Sequence, residues 1–323
     1  MHRYIVNRFL LVIPTLLGAA ALVFILMRLI PGDVCLVRLG SGGTSFSAQA
    51  LAQCHADIGI DRPWLIQFGE FLWGMVRGDL GISMWSGKPV IQEIATRFPV
   101  SLEVAVLATI IAVAIAIPLG TISALKQNTW IDLVVRTVSI AGIATPSFWL
   151  GIMSILFVLD LTQAISGHPW MPSIDYVPLW KDPIRNLSIV MLPAITVGYR
   201  YAAVSMRMTR SAMLEVLRED YIRTARAKGL LEKIIINRHA LKNALLPVVT
   251  VIGLEFAFLI GGLVVTEQVF NLNGIGRLMV LSVQNQDYTL TQGLVMLVVT
   301  IAVLSNLVVD LLYAWLDPRI SLK

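Results

Sequence analysis

The chain has 323 residues, of which 57% are hydrophobic and only 14% are charged, and its mean hydropathy is +0.78. A soluble domain carries about 25% charged residues, so this composition excludes an ordinary soluble protein, a disordered chain and a disulfide-stapled secreted domain. The formal net charge of +5 reflects topology in a membrane protein and gives no reason to expect a nucleic-acid partner.

Five apolar stretches are long enough to cross a bilayer, which needs about 20 mainly apolar residues. A sixth is interrupted by Arg200, but the distribution of basic residues makes sense only if it is included. We therefore predict a single all-α integral membrane domain, 1–323, with six transmembrane helices. The predicted spans are 9–29, 102–125, 137–159, 187–207, 244–266 and 290–312.

The first span follows Arg3 and Arg8, as the apolar part of a signal peptide would. Its apolar run is longer than that of a usual signal peptide, and no small-residue cleavage site follows it. We expect it to be a retained helix.

The basic residues predict the orientation. Six spans place both termini on one side, and most of the 25 Lys and Arg residues fall in the segments of that side, which are 1–8, 126–136, 207–243 and 317–323. Basic residues mark the cytoplasmic side, so we predict cytoplasmic termini. The opposite side carries a long first loop, and the helical apolar spacing of 64–76 predicts an ordered external cap over 31–100.

The cytoplasmic loop 208–243 has the most informative charge pattern. From Arg210 to Asn243 it contains eight Lys or Arg and four Asp or Glu, with apolar residues at helical spacing between them. Gly229 is suited to end a helix in the left-handed conformation, which predicts two helices joined by a turn. Such a pair suits docking to another protein. The alternative is a helix on anionic membrane lipid, against which the four acids argue.

Two ionisable residues, Arg200 and Glu255, fall inside predicted spans, where such groups are costly and usually functional. They could neutralise each other as an ion pair, or one or both could line a transport pathway, or their charges could reach the membrane interface.

The two cysteines, Cys35 and Cys54, are too few for a metal cluster or a disulfide framework. They share one external, oxidising loop, so a disulfide that pins the cap and two separate thiols both remain open.

The cytoplasmic loop resembles the "EAA" loop in permease subunits of bacterial ABC importers, in particular the dipeptide, oligopeptide and nickel branch. The resemblance is carried by 220–230 and 239–247, and extends nearly end to end. Further similar segments are 30–33, 78–83, 97–99, 267–270, 274–277, 287–288, 306–310 and 317–319. Together these motifs are highly specific.

The chain departs from the family pattern in a few places. Arg223, Thr224 and Ala225 stand where the general loop has Glu-Ala-Ala, and the interval from Gly229 to Pro247 is longer than in other importer branches. Both features are usual for the peptide branch. Asn273 stands where relatives typically have Pro.

The resemblance implies a multi-pass subunit of the bacterial inner membrane in a heteromeric complex. Expected partners are a homologous second permease, two cytoplasmic ABC ATPases, an extracytoplasmic substrate-binding protein and membrane lipid. The ATPases would bind ATP and Mg²⁺, so we expect no cofactor and no catalysis in this chain. The residues expected to form the ATPase-coupling loop are Glu219, Asp220, Tyr221, Arg223, Thr224, Ala225, Arg226, Ala227, Lys228 and Gly229.

The predicted function is therefore a pore-forming importer subunit that works by alternating access. Relatives carry dipeptides, oligopeptides, glutathione-like thiols, opines or nickel chelates, and peptides are the commonest cargo of the branch. The competing class is an ion-coupled secondary transporter or channel subunit, with Arg200 and Glu255 as coupling groups. The absence of an inverted repeat between the halves argues against that class.

Overall fold

The computed structural model describes residues 2–29, 35–36, 47–58, 60–173 and 175–316. The motifs at 30–33 and 317–319 lie outside the described residues, as does part of the predicted cap 31–100. Within the described ranges the regular structure is entirely helical, apart from an isolated antiparallel bridge between Ile82 and Pro89. This confirms the all-α prediction.

The described helices follow one another along the whole chain. In order they are α1 (His2–Leu29), α2 (Ala48–Ile58), α3 (Trp64–Arg77), α4 (Val90–Leu125), α5 (Trp130–Ala144), α6 (Ser147–Ser166), α7 (Pro183–Val216), α8 (Asp220–Ala227), α9 (Glu232–Gly262, with a π-helical segment Ile235–Ala240), α10 (Val264–Val269), α11 (Ile275–Gln284) and α12 (Tyr288–Leu316).

In the described part of the chain, six helices are long and apolar enough to cross a membrane. They are α1 from Val6, α4, α6, α7, α9, and α12 as far as Leu312. Three of them exceed the predicted spans by eight residues or more, since α4 begins at Val90, α7 runs from Pro183 to Val216 and α9 begins at Glu232.

The predicted third span, 137–159, was wrong in its bounds. The structure divides it into α5 and α6 at Thr145, which has extended backbone angles (φ −85°, ψ 127°), and Pro146. Proline has no N–H to donate and disfavours the helical conformation of the residue before it. The helix of spanning length is therefore α6.

The centre of the fold is the contact between α4 and α7, which is made by small side chains. Ala105 and Ala108 of α4 and Ala194 of α7 are fully buried. A Cβ on Gly198 would lie 2.8 Å from the carbonyl oxygen of Ala108, so the two backbones touch at this position. Close backbone approach through small residues is how helices associate in lipid, where the hydrophobic effect does not drive them together.

The first and last helices meet near one end of the bundle. Arg8 of α1 lies 3.0 Å from Asp310 of α12. The start of α1 and the last turns of α12 therefore share that end of the bundle with the loop 126–129, α8 and the start of α9. The loop segments 167–173 and 175–182 lie at the opposite end, as does the segment 270–287, which contains α11.

Candidate functional site

The eight-residue helix α8 lies across the ends of α7 and α9. Ile222 and Ala225, three residues apart and so on one helix face, are 0% and 8% exposed. They pack with Met213 of α7 and with Ile235 and Ala240 of α9. This apolar contact fixes α8 against the helices of spanning length.

The opposite face of α8 is open to solvent. The exposed side chains on this face are Tyr221, Arg223, Thr224 and Lys228. Arg223 makes a long contact of 3.5 Å with Asp220, and both side chains remain largely exposed. An exposed pair of this kind contributes little to stability. These side chains are therefore available to a partner.

Beside α8 runs an open groove of about 550 Å³ that charged side chains line from both helices. Glu215 and Arg218 come from the end of α7 and its exit, and Glu219 and Asp220 from the start of α8. Exposed apolar residues extend the surface, with Leu230 and Leu231 at 40% and 71% exposed. A surface that mixes both charge signs with apolar groups suits a protein partner more than a lipid surface.

The turn after α8 adopts the predicted conformation. Gly229 has φ +74°, a region that glycine enters without the cost other residues meet, and its N–H donates to the carbonyl of Arg226. Arg226 in turn donates to both carboxylate oxygens of Glu232 at 3.2 and 2.7 Å. The prediction of two helices joined by a turn at Gly229 is confirmed.

A tyrosine ties α8 to α9 above this turn. Asn243 Nδ2 donates to the Tyr221 hydroxyl oxygen at 2.7 Å and to the carbonyl of His239 at 3.1 Å. Tyr221 thus has a structural contact and remains 41% exposed.

An ion pair at the same end of the bundle was missed in the sequence analysis. Arg210 Nε and a terminal Arg210 nitrogen donate to the two oxygens of Asp132 at 2.7 and 2.8 Å. The Ser123 hydroxyl donates to the same carboxylate at 2.6 Å. The hydrogen bonds from Arg210 hold the pKa of Asp132 well below its usual value. The pair joins α4, α5 and α7 just before α7 leads into α8.

Arg200 and Glu255 do not form the ion pair that was one of the alternatives. Glu255 instead accepts a hydrogen bond from Ser205 at 2.8 Å, and its other oxygen, Oε1, is buried with no hydrogen-bond partner among the described residues. Arg200 is exposed and forms no salt bridge with any described carboxylate.

Cys35 and Cys54 are joined by a disulfide, with Cα atoms 5.9 Å apart. Cys54 belongs to α2, so the bridge ties that helix to the segment following α1.

Two buried carboxylates hold the opposite end of the bundle together. Glu267, 1% exposed, accepts from the Ser101 hydroxyl at 2.6 Å and from the Arg277 backbone N–H at 2.8 Å. Asp287, also 1% exposed, accepts from the Ser83 hydroxyl at 2.5 Å. Burial raises the pKa of Glu267, and its hydrogen bonds oppose that shift. The family resemblance included the segments that contain Glu267 and Asp287. Each carboxylate binds a serine more than 160 residues away, and no local sequence pattern indicates these pairs.

Comparison with known proteins identifies relatives over the whole chain. The family model described as "Binding-protein-dependent transport system inner membrane component" matches residues 116–322, and the N-terminal model of such transport components matches 1–105. The dipeptide transport system permease protein DppB of Escherichia coli strain K12 is 40% identical over 344 aligned positions, covering 100% of both chains.

Two further relatives are similar over their full length. A putative peptide transport system permease protein of Brucella suis is 39% identical over 99% of both chains. The glutathione transport system permease protein GsiC of Pectobacterium atrosepticum is 40% identical over 100% of both chains. Among solved structures, an inward-facing structure of the MetNI methionine ABC transporter aligns with a TM-score of 0.50 and 16% identity. It covers 77% of this chain and 98% of that one, and it shows the fold.

Proposed function

This chain belongs to the family of binding-protein-dependent transport system inner membrane components, and we propose that it forms half of the pore of an ATP-driven importer for peptides or peptide-like solutes. The family match and relatives that align end to end support this function. The observation that carries it is α8, whose apolar face is anchored on α7 and α9 while its polar face is exposed.

The proposed topology has six membrane-spanning helices and cytoplasmic termini in a single domain, 1–323. Its support is the set of six long apolar helices, the proximity of Arg8 to Asp310, and the concentration of basic residues at that end. The end that carries α8 would face the cytoplasm, and the cap within 31–100 would face outward.

The proposed ATPase-coupling surface is built around α8. Tyr221, Arg223, Thr224 and Lys228 would contact the ATPase, with Glu219, Asp220, Arg226 and Ala227 around them. Ala225 is buried, so its part would be to seat α8, and Gly229 would supply the turn. Closure of the ATPases would push α8 and so move α7 and α9.

The proposed complex contains two ATPases that bind ATP and Mg²⁺, a homologous second permease, and an extracytoplasmic binding protein. A pore between two permeases is consistent with the many exposed apolar side chains on the helices of spanning length, among them Phe9, Ile110 and Phe258. The external cap, which contains the Cys35–Cys54 disulfide, is the proposed docking surface for the binding protein.

Arg200 and Glu255 are the proposed pathway residues. A buried carboxylate oxygen without a partner is costly, and a passing ammonium group would satisfy it, while exposed Arg200 would attract a carboxylate. Peptides carry both groups. We expect Glu255→Gln and Arg200→Gln to raise the KM for peptide uptake. Unchanged KM values in both variants would remove these residues from the pathway.

The names of the relatives support peptide or glutathione cargo. A tag on this chain, gentle detergent extraction of native membranes and mass spectrometry of the captured complex test the assembly. We expect to capture a second permease and ATPase subunits with the wild-type chain. These partners should be lost when Gly229 is replaced by Glu. Capture of this chain alone would contradict the proposal.

A further inference from the structure

A second cytoplasmic-end pocket, separate from the groove beside α8, lies between α5 and α7. It has a volume of about 300 Å³, and three arginines line it: Arg136 from α5, and Arg207 and Arg210 from α7. Val135, Ile140 and Met206 give the rest of its wall apolar surface, and Ser139 and Ser211 complete the lining. Cations grouped against an apolar wall suggest a ligand with an anionic head and an apolar body.

The three arginines are not equivalent. Arg210 is neutralised by its two hydrogen bonds to Asp132. Arg136 and Arg207 are exposed, and neither forms an ion pair with a carboxylate among the described residues. The pocket therefore carries two uncompensated guanidinium groups, whose planar donor array matches the oxygens of a phosphate.

The surroundings distinguish a lipid from a soluble anion. On the bilayer side of Arg136, α5 exposes the large apolar side chains Val138, Ile140 and Ile143, at 40%, 59% and 36%. Trp130, 74% exposed, lies at the end of α5 that follows the loop 126–129. Tryptophan is enriched where a membrane meets water. Acyl chains that run from Arg136 along Val138, Ile140 and Ile143, away from the loop 126–129, would leave the headgroup at the level of Arg136 and Arg207.

We propose that the pocket between α5 and α7 binds the phosphodiester headgroup of an anionic phospholipid. The proposal rests on the proposed function only for the orientation of the chain, because the end of the bundle that carries α8 must lie on the cytoplasmic side for the pocket to reach lipids of the inner leaflet. Basic pockets between spanning helices on the cytoplasmic side are suited to anionic headgroups. A lipid bound in the pocket would connect Arg136 of α5 to Arg207 of α7. This contact would add to the ion pair between Asp132 and Arg210, which already joins the two helices.

The experiment uses the complex purified through a tag on this chain in mild detergent. Native mass spectrometry follows titration with dioleoylphosphatidylglycerol, with dioleoylphosphatidylcholine and with inorganic phosphate as separate probes. We expect phosphatidylglycerol to bind in preference to phosphatidylcholine, and the double variant Arg136→Gln/Arg207→Gln to weaken it about 10- to 30-fold.

Two control variants test whether the loss of lipid binding is specific to the positive charges of this pocket. Arg136→Lys/Arg207→Lys retains the charges and should keep most of the binding. Lys88→Gln/Lys181→Gln removes two exposed charges at the opposite end of the bundle and should leave binding unchanged. Equal chromatographic behaviour of all variants would exclude misfolding as the cause.

Three outcomes would overturn the proposal. Unaltered phosphatidylglycerol binding by the Gln double variant removes the pocket as the site. Displacement of the lipid by millimolar inorganic phosphate identifies a free-anion site. A protein subunit cross-linked through position 136 identifies a protein interface. A preparation without ATPase subunits would contradict the proposed function, yet lipid binding by this chain would still be measured.

Discussion

At the scale of single residues, the pair Asp132–Arg210 shows what sequence patterns leave out. The residues are 78 positions apart, and nothing local marks them as partners. Arg210 was counted among the basic residues that predict the orientation, and Asp132 was given no role. The same holds for Glu267 and Ser101, 166 positions apart. Such pairs depend on which helices pack together, and composition and periodicity do not specify that.

The first prediction concerns Asp132. Asp132→Asn would leave the half-buried Arg210 without its counter-charge, which costs about 3–5 kcal/mol when a buried pair is broken. Thermal unfolding of the detergent-purified chain should show a clear loss of stability. Asp220→Asn, in an exposed pair, is the matched control and should change stability by no more than about 0.5 kcal/mol.

The pH dependence of this pair has a definite sign. Because the Arg210 hydrogen bonds lower the pKa of Asp132 in the folded state, the contribution of the pair is complete above the unfolded pKa of about 3.9. It is lost as the pH falls below that value. The difference in unfolding temperature between wild type and Asp132→Asn should therefore be constant from pH 6 to 8. A difference that shrinks across this range would contradict the assignment.

Two glycines should respond to alanine for different reasons. At Gly274 a Cβ would lie 2.2 Å from Glu267 Oε1, so Gly274→Ala must displace the buried carboxylate. At Gly229 a Cβ meets nothing within 4 Å, but φ is +74°, which costs a non-glycine residue about 1–2 kcal/mol. Thermal unfolding should show the larger loss for Gly274→Ala. Hydrogen exchange should place the Gly229→Ala effect in α8 and its turn.

At the scale of elements, the sequence was most informative where a pattern is local. Apolar runs predicted the helices of spanning length, and Gly229 predicted the turn after α8 because its conformation depends on the residue itself. The break at Pro146 was missed because the apolar run continues across it, and hydropathy does not register the lost helical hydrogen bond. The apolar face of α8, which Ile222 anchors, was predicted only from the helical spacing of its apolar residues.

A matched pair of substitutions separates the two faces of α8. Ile222→Ala removes fully buried apolar contact, worth about 2–5 kcal/mol in a core, so hydrogen exchange of 220–229 should speed up markedly. Arg223→Ala should leave that exchange unchanged while weakening ATPase capture, because its side chain is exposed. If both variants lost ATPase subunits with unchanged exchange, the apolar face would not be the anchor.

At the scale of the whole molecule, composition predicted a multi-pass membrane chain and the resemblance implied the bacterial inner membrane, and family membership agrees with both. The arrangement of the bundle did not follow from them. The contact of α4 with α7 depends on small residues whose role is apparent only once the helices are paired, as at Gly198.

The proposed orientation can be measured with single cysteines in a Cys35→Ser/Cys54→Ser background. Lys126→Cys and Lys228→Cys should react with a membrane-impermeant maleimide only in opened cells or inverted vesicles. Lys181→Cys should react in intact spheroplasts. The three lysines are exposed in this chain, so an unreactive Lys126→Cys or Lys181→Cys would reflect sidedness, and Lys228→Cys is labelled in membranes that lack the ATPase subunits, which would cover it. Labelling of Lys228→Cys from outside would reverse the topology.

The most direct measurement is ATP-driven uptake of a labelled dipeptide by proteoliposomes containing the purified complex with its binding protein. We predict accumulation that requires ATP and the binding protein, and that falls at least tenfold in Arg223→Glu, while Lys181→Gln transports normally. The Arg223→Glu complex should retain its fold, because that side chain makes only an exposed contact. Uptake that proceeds without ATP, or that Arg223→Glu leaves intact, would contradict coupling through α8.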